Sequence, residues 1–331
     1  MTIKFGLDMG QSSLKGMGLQ GAVQFASLAA LLGTASVDMT ISGKKKKRPM
    51  VVSHEDFGEL YVGHGAHRWG VPLENFDFAR LAGVTPEMRA IFYGAMTEYQ
   101  RKHGPFAEPM EVIVGLPMQM LSGSDESVKK FNKQVKGWIG GEHHWQADGE
   151  PFEMVITRVD LAPQALGAVI DYAFDEAGNA ISDERNLALT RECGTLWIGS
   201  NTVEAQATKR DEDTKRFNGG SAIGVRWLHN RVDPNGWRTF GEFDELLRAN
   251  DEEIMEQVQP FLGAWETEIF GFVNRLWGQS WQRFHKVFIG GGGSILLRDR
   301  LASKFNGKVV FSDDPLMSIA HGLYKAALRS K

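Results

Sequence analysis

The chain has 331 residues, 42% of them apolar and 24% charged, which excludes a predominantly disordered protein and is too long for one small core. A formal net charge of −4 excludes a general attraction to nucleic acid or an anionic membrane, so contact with DNA would need a local patch or an adaptor. The single cysteine, Cys193, excludes an intramolecular disulfide, no Cys/His cluster has zinc-site spacing, and a reducing cytoplasm is the expected location.

Ile3 to Met9, Leu14 to Gln20 and Ala22 to Leu28 read as successive strands of a meander, with a polar turn at Gly10 to Ser13. The apolar run Ala22 to Gly33 is too short to span a bilayer, and neither a signal peptide nor an anchor is expected. Val37 to Ile41 and Pro49 to Val52 flank the basic run Lys44 to Arg48, which is expected to be a solvated loop rather than a nucleic-acid patch. Glu59 to Val62 supplies another strand. Thr85 as N-cap and Pro86 at the first helical position open a helix whose stripe is Met88, Ile91, Phe92, Ala95, Met96 and Tyr99, closed by Gly104-Pro105.

Glu111 to Val114 is a strand, and Ser124 and Asp125 open a helix with Val128, Phe131, Val135 and Trp138 on one face and lysines on the other. His143-His144 is expected in a loop. Met154 to Val159 is a strand, followed by a helix from Pro163 to Ala177 that Gly178-Asn179 stops. Strands at Thr195 to Ile198 and Val203 to Thr208 repeat the opening strand-turn-strand pattern. Thr239 and Glu242 have capping-box spacing, and 251 to 284 is largely helical, with Pro260 kinking or dividing it. The last helix runs from about Pro315 to Leu328. The nine tryptophans are read mainly as packing residues.

Four segments carry the chemistry: Phe5 to Lys15 (FGLDMGQSSLK), Met110 to Pro117 (MEVIVGLP), Thr195 to Glu204 (TLWIGSNTVE) and Val287 to Ser294 (VFIGGGGS). In each, apolar or β-branched residues run into glycines and small polar residues, the pattern of a strand ending in a tight turn. Glycine lets backbone N–H groups converge on an anion, and Ser, Thr and Lys add donors around it.

The order of these segments resembles the actin-like ATPase superfamily, most closely the plasmid-segregation actins of the ParM type, over nearly the whole chain. Asp8-Met9-Gly10-Gln11-Ser12-Ser13-Leu14-Lys15 resembles the first phosphate loop, Gly199-Ser200-Asn201-Thr202 the second, and Gly290-Gly291-Gly292-Gly293-Ser294 the adenosine motif. Val114-Gly115-Leu116-Pro117 and Ile319-Ala320-His321-Gly322 are further matches. The resemblance implies an α/β, two-lobed fold with duplicated mixed sheets around a nucleotide cleft. Lobe I would be 1–165 plus 315–331, with a small inserted subdomain at about 34–75. Lobe II would be 166–314, with a helical subdomain at about 221–280.

By the same resemblance, Gly10, Gln11, Ser12, Ser13, Lys15 and Gly199 to Thr202 would bind phosphates, Asp8 would act through metal-bound water, and Gln164 would orient the attacking water. As a neutral amide, Gln164 can align water but is a poor base. Gly219 and Gly220 either approach the nucleotide or punctuate a loop before a helix. Trp197 stands where the family has an aspartate that organises magnesium. Either Asp8 and waters suffice for the metal, Glu204 compensates, or hydrolysis is weakened.

The expected function is a cytoplasmic, filament-forming ATPase using ATP, or alternatively GTP, with Mg2+. It would assemble with itself head to tail and act in plasmid or DNA segregation or intracellular positioning through an adaptor, without direct nucleic-acid or membrane binding. The alternatives are a small-molecule kinase of the same superfamily and a nucleotide-binding scaffold with weak hydrolysis.

Overall fold

The computed structural model describes residues 2–33, 48–74, 78–83, 85–121, 126–210 and 212–330. The strand expected at Val37 to Ile41, lysines 44 to 47 and the helix-opening pair Ser124 and Asp125 lie outside the described residues.

The first sheet is built from β1 (Ile3–Met9), β2 (Ser13–Gly18), β3 (Gly21–Ala26), β4 (Ala29–Leu32), β5 (Met50–His54), β6 (Gly58–Val62), β7 (Gly70–Pro72), β8 (Met110–Leu116), β9 (Gly141–Ala147) and β10 (Glu150–Pro163). Its order is β3-β2-β1-β8-β10-β9-β5-β6-β4-β7. The second contains β11 (Cys193–Ile198), β12 (Val203–Lys209), β13 (Glu212–Asp213), β14 (Gly219–Ser221), β15 (Val287–Gly290) and β16 (Val309–Phe311), in the order β13-β12-β11-β15-β16 with β14 also on β12. The two share a plan. In each, an antiparallel hairpin leads into three parallel strands, β1, β8 and β10 in the first and β11, β15 and β16 in the second.

The helices are α1 (Ala66–Trp69), α2 (Pro86–His103), α3 (Glu126–Ile139), α4 (Gln164–Ala173), α5 (Asp183–Thr190), α6 (Arg226–Val232), α7 (Phe240–Arg248), α8 (Glu252–Val258), α9 (Leu262–Trp277), α10 (Gly292–Leu296), α11 (Arg298–Ala302) and α12 (Ser318–Arg329). Every residue of the expected α2 stripe is buried, because apolar side chains at helical spacing share one face that must leave water. Thr85 holds the N-cap position in extended conformation, but its hydroxyl makes no capping bond. The Thr239–Glu242 capping box is complete, and Pro260 falls in a 3-10 turn that separates α8 from α9. No helix among the described residues is long and apolar enough to cross a membrane.

Several sequence expectations need correction. His143 and His144 lie in β9, where alternation buries His143, Trp145 and Ala147 and exposes His144; the His143 ring also meets the Ile139 carbonyl. The helix expected to reach Ala177 stops at Ala173. Phe174 turns extended and bridges to Ala180, while the Asp175 carboxylate accepts from the amides of Ala177 and Asn179 and folds a local turn. The Gly178-Asn179 pair belongs to that turn. Helix α5, capped by the Ser182 hydroxyl, follows it unforeseen. The last helix starts at Ser318 rather than Pro315, since the Asp314 carboxylate accepts from Leu316 and Met317 and holds a turn there.

Helices α4 and α12 each follow the third parallel strand of a sheet, and they cross at backbone distance. A Cβ on Gly322 would lie 1.8 Å from the Gly167 carbonyl oxygen, and one on Gly6 of β1 would lie 2.3 Å from the Tyr324 amide nitrogen. Side chains would hold these elements apart, so the glycines bring α4, α12 and β1 into one tight joint.

Candidate functional site

The turns β1–β2 and β11–β12 face one cavity of about 730 Å3, and Asp8 and Thr202 both line it. Asp8 is the penultimate residue of β1, directly opposite Lys15 on β2. Its carboxylate is buried and gripped at both oxygens: Lys15 Nζ donates to Oδ2 at 2.9 Å and Gln164 Nε2 to Oδ1 at 2.8 Å. Gln164, the first residue of α4, therefore reaches the β1 turn through the joint just described. The Asp8–Lys15 ion pair lies within the cavity wall.

Among the residues expected to bind nucleotide, Gly10, Gln11, Ser12, Ser13, Lys15, Gly199, Ser200, Asn201, Thr202, Gly291, Gly292 and Gly293 line the cavity. Gly290, Ser294, Gly219 and Gly220 do not. Gly219 and Gly220 are spent in β14, paired with Ala205 and Glu204 of β12, and Ser294 is buried with its hydroxyl donating to the Gly291 carbonyl. Gly290 is covered by Trp197: a Cβ there would fall 2.2 Å from Cζ3 of the indole. Gly291, at φ +83°, leaves no room for a side chain either, since its Cβ would be 2.4 Å from the Ile198 carbonyl oxygen.

The second turn is braced from behind. Gly199 N donates to Thr202 O, and the amides of Gly224, Val225 and Arg226 donate to the carbonyls of Asn201, Gly199 and Ser200. These bonds consume carbonyls, leaving the turn's remaining polar groups to the cavity. On the first turn the Ser13 hydroxyl is buried with no hydrogen-bond partner, and a Cβ on Gly10 would lie 2.5 Å from the Ser13 carbonyl oxygen and 3.0 Å from Lys15 Nζ. An orphaned hydroxyl, an ammonium and a cradle without side chains fit an anion such as a phosphate.

Trp197 lines the cavity as an indole where a carboxylate would suit a cation, and its cross-strand neighbour is Glu204. Glu204 is buried in the cavity wall, and burial, reinforced by the Asp8 charge, pushes its carboxyl up to about 7. A buried carboxyl pushed up by burial and by the charge of a second carboxylate lining the same cavity would be relieved by a hard cation near it. No cluster of three or more His, Cys, Asp or Glu among the described residues would hold a metal unaided, so such a cation would need water or phosphate oxygens as well.

The mouth of the cavity was not foreseen. Asp244, Glu245, Arg248 and Asn250, on α7 and just beyond it, form its far wall with His64. Several bonds there join the two halves: Arg248 Nη2 donates to Ser12 Oγ at 3.1 Å, Gly65 N to Glu245 Oε1 at 2.6 Å, and Gly241 N to Glu74 Oε1 at 3.3 Å. The His67 ring meets the Thr239 hydroxyl at 2.9 Å. Asn201 ties the two turns together, donating to Gln11 while its oxygen accepts from Arg226 Nε. The only sequence signal was the Asp244/Arg248 pair, one helical turn apart on the polar face of α7.

Duplicated sheets of this topology, a cleft between them and a turn from each at its floor define the actin-like fold, and the chain resembles ParM within it. No protein-family model and no curated protein sequence matches the chain. Solved structures do. The actin-like protein Alp7A superposes with a TM-score of 0.74 at 10% identity, over 99% of this chain and 97% of that one. Ta0583, an archaeal actin homologue, gives 0.72 at 19% identity over 99% and 100%, and a ParM from Clostridium botulinum, solved as a 15-stranded filament, gives 0.70 at 16% over 99% of each. Ta0583 also has a structure in complex with ADP.

Proposed function

We propose that this protein is an actin-like, nucleotide-dependent filament former that binds ATP, or GTP, with Mg2+ and hydrolyses it as it assembles head to tail. The observation that carries the reading is the convergence of Asp8–Lys15 and Gly199–Thr202, one turn from each sheet, on a single cavity. The ParM filament and the ADP complex of Ta0583 support it by likeness of fold. Residues 1–165 plus 315–331 and 166–314 act as two lobes that pivot at the α4–α12 joint, so a bound triphosphate is sensed as closure.

Gly10 to Ser13, Lys15 and Gly199 to Thr202 hold the phosphates. Gly291 to Gly293 admit the adenosine, with Gly290 and Ser294 shaping that turn from behind. Asp8, through water, and Glu204 would hold the magnesium, whose charge offsets that of the phosphates. Gln164 keeps its amide nitrogen on Asp8, which leaves its carbonyl oxygen to orient water. Head-to-tail assembly in a cytoplasm, with an adaptor linking the filament to plasmid DNA or other cargo, is the use that fits an acidic chain without general affinity for nucleic acid.

A second reading, tight nucleotide binding with slow hydrolysis, is favoured by Trp197. Electron microscopy of the purified chain with Mg-ATP, Mg-GTP and no nucleotide tests assembly, and phosphate release under the same conditions separates the two readings. Filaments that require nucleotide are expected. Asp8→Ala should weaken Mg-nucleotide binding or turnover at least about tenfold; unchanged values for both would refute the site.

A further inference from the structure

The second sheet carries another cavity, of about 810 Å3, at the edge opposite the nucleotide cleft. Arg191, Lys209, Arg283 and Lys308 line it with Phe284, and Glu192 is its one acid. Both oxygens of Glu192 are engaged by Arg283, at 2.6 and 2.7 Å. The Lys308 ammonium rests on backbone carbonyls of Gln282 and Phe284. Arg191 and Lys209 are exposed, Lys209 standing opposite Glu212 in the β12–β13 hairpin, and with four cations against one acid in its lining the cavity keeps an excess of positive charge.

At the other end of this half stands the opposite chemistry. Trp237 is 81% exposed, yet it sits on a rigid turn: the buried Asp233 carboxylate accepts from the amides of Trp237 at 3.0 Å and Arg238 at 2.7 Å, and Gly236 takes φ +67°. Beside it, Arg238 lies 4.0 Å from Glu253, and α8 exposes Glu252, Glu253 and Glu256. An indole held out in water by two charge-assisted bonds, next to three carboxylates, has no role in the core or in the nucleotide cleft.

Helix α9 separates the two surfaces. Trp265 near its start packs on Gly293 at the nucleotide edge of the sheet, while Trp277 at its end packs on Gly194 and Phe284 beside the cationic cavity. Sixteen residues of helix span about 24 Å, with the cavity beside the end of α9 and the knob on the α6–α8 segment that leads into its start.

We propose that Trp237 and the acidic face of α8 dock into the Arg191/Lys209/Arg283 cavity of a second copy of this chain, forming the head-to-tail contact of the filament. The inference rests on the filament reading above and names its surfaces. The exposed Arg191 guanidinium offers a cation–π partner to the indole, and the excess positive charge of the cavity matches the α8 carboxylates. A contact between unlike poles leaves a free knob at one end and a free cavity at the other, so it repeats without closing.

The test is pelleting of the full chain with Mg-ATP, with nucleotide affinity measured in parallel to show that each variant is folded. Trp237→Ala, and Arg191→Glu with Lys209→Glu, should each raise the critical concentration about tenfold or more. Mixing the two variants should give a soluble complex of two copies that stops growing, since only one good knob and one good cavity remain. Adding Glu252→Lys and Glu253→Lys to the cavity variant should restore assembly. If the unaltered chain assembles and the variants assemble equally well, the contact is wrong and the filament reading stands; if the unaltered chain never assembles, both fall.

Discussion

Gly322→Ala sets two well-known effects against each other. Inside a helix, alanine is favoured over glycine by about 1 kcal/mol, so propensity alone predicts a more stable protein. The added methyl, however, would sit 1.8 Å from the Gly167 carbonyl oxygen and 2.5 Å from its carbonyl carbon, where carbon and oxygen normally stay about 3.3 Å apart or more. Both offending atoms are backbone, so no side-chain rotation relieves the clash. Helices α4 and α12 must part by roughly 1.5 Å, at a cost near the upper end of the about 1–3 kcal/mol of overpacking, for a net loss of roughly 2 kcal/mol. The same shift carries Gln164, three residues before Gly167, away from Asp8, so nucleotide affinity should fall with stability. Urea unfolding and nucleotide titration of the variant check both. A variant as stable as the parent, or more so, would refute the backbone-contact argument.

Glu204→Gln tests the buried carboxyl. Burial, then the Asp8 charge, raises it from 4.5 to about 7. With the folded value above the unfolded one, its stabilising contribution is full below pH 4.5 and lost as pH rises through about 7. The nucleotide-free variant should therefore gain roughly 2–3 kcal/mol more over the parent at pH 8 than at pH 5; equal gains in denaturant curves at both pH values would contradict this. Glu245→Gln tests the mouth of the cleft. The hydrogen bond that His64 donates to Glu245 raises His64 above 6.5, and bonds from His64 and Gly65 hold Glu245 below 4.5 although burial opposes them. The His64 part is full below pH 6.5 and fades as pH rises past its raised value, whereas the Glu245 part is full above 4.5 and fades on acidification, so the link is strongest between about pH 4.5 and 6.5. In the variant the His64 titration, followed by NMR, should move down toward 6.5; an unmoved titration would show that the link is absent in solution.

Much of the fold was legible where period and punctuation agree. The α2 stripe, the Thr239–Glu242 box and the Gly10–Ser13 turn follow from local rules, and each stands as read. His143-His144 was misread because two histidines look like a loop, although alternation buries His143, Trp145 and Ala147 on one face of β9. The helix before Gly178 was drawn too long because glycine after an apolar run suggests a stop, while the actual stop was the carboxylate of Asp175 folding its own turn. Of the glycines, Gly10, Gly199 and Gly291 to Gly293 line the cleft, but Gly290 is covered by Trp197, and Gly219 and Gly220 were taken up by pairing with β12, a partner that no local pattern announces.

Local chemistry alone determined that this chain carries anion-suited turns after its strands, one in each half, with Asp8 and Lys15 flanking the first, because strand ends, caps and turns are governed by near neighbours; Gln164 was singled out only by the resemblance. Tertiary structure alone decided that those turns share one cavity, that Asp8 and Glu204 both line it, that α7 contributes Asp244, Glu245 and Arg248 to its wall, and that Trp237 is held out in water on a turn pinned by Asp233. Such relations join residues far apart in the chain through sheet pairing and glycine-tight helix crossing, for which a linear pattern holds no record of distance.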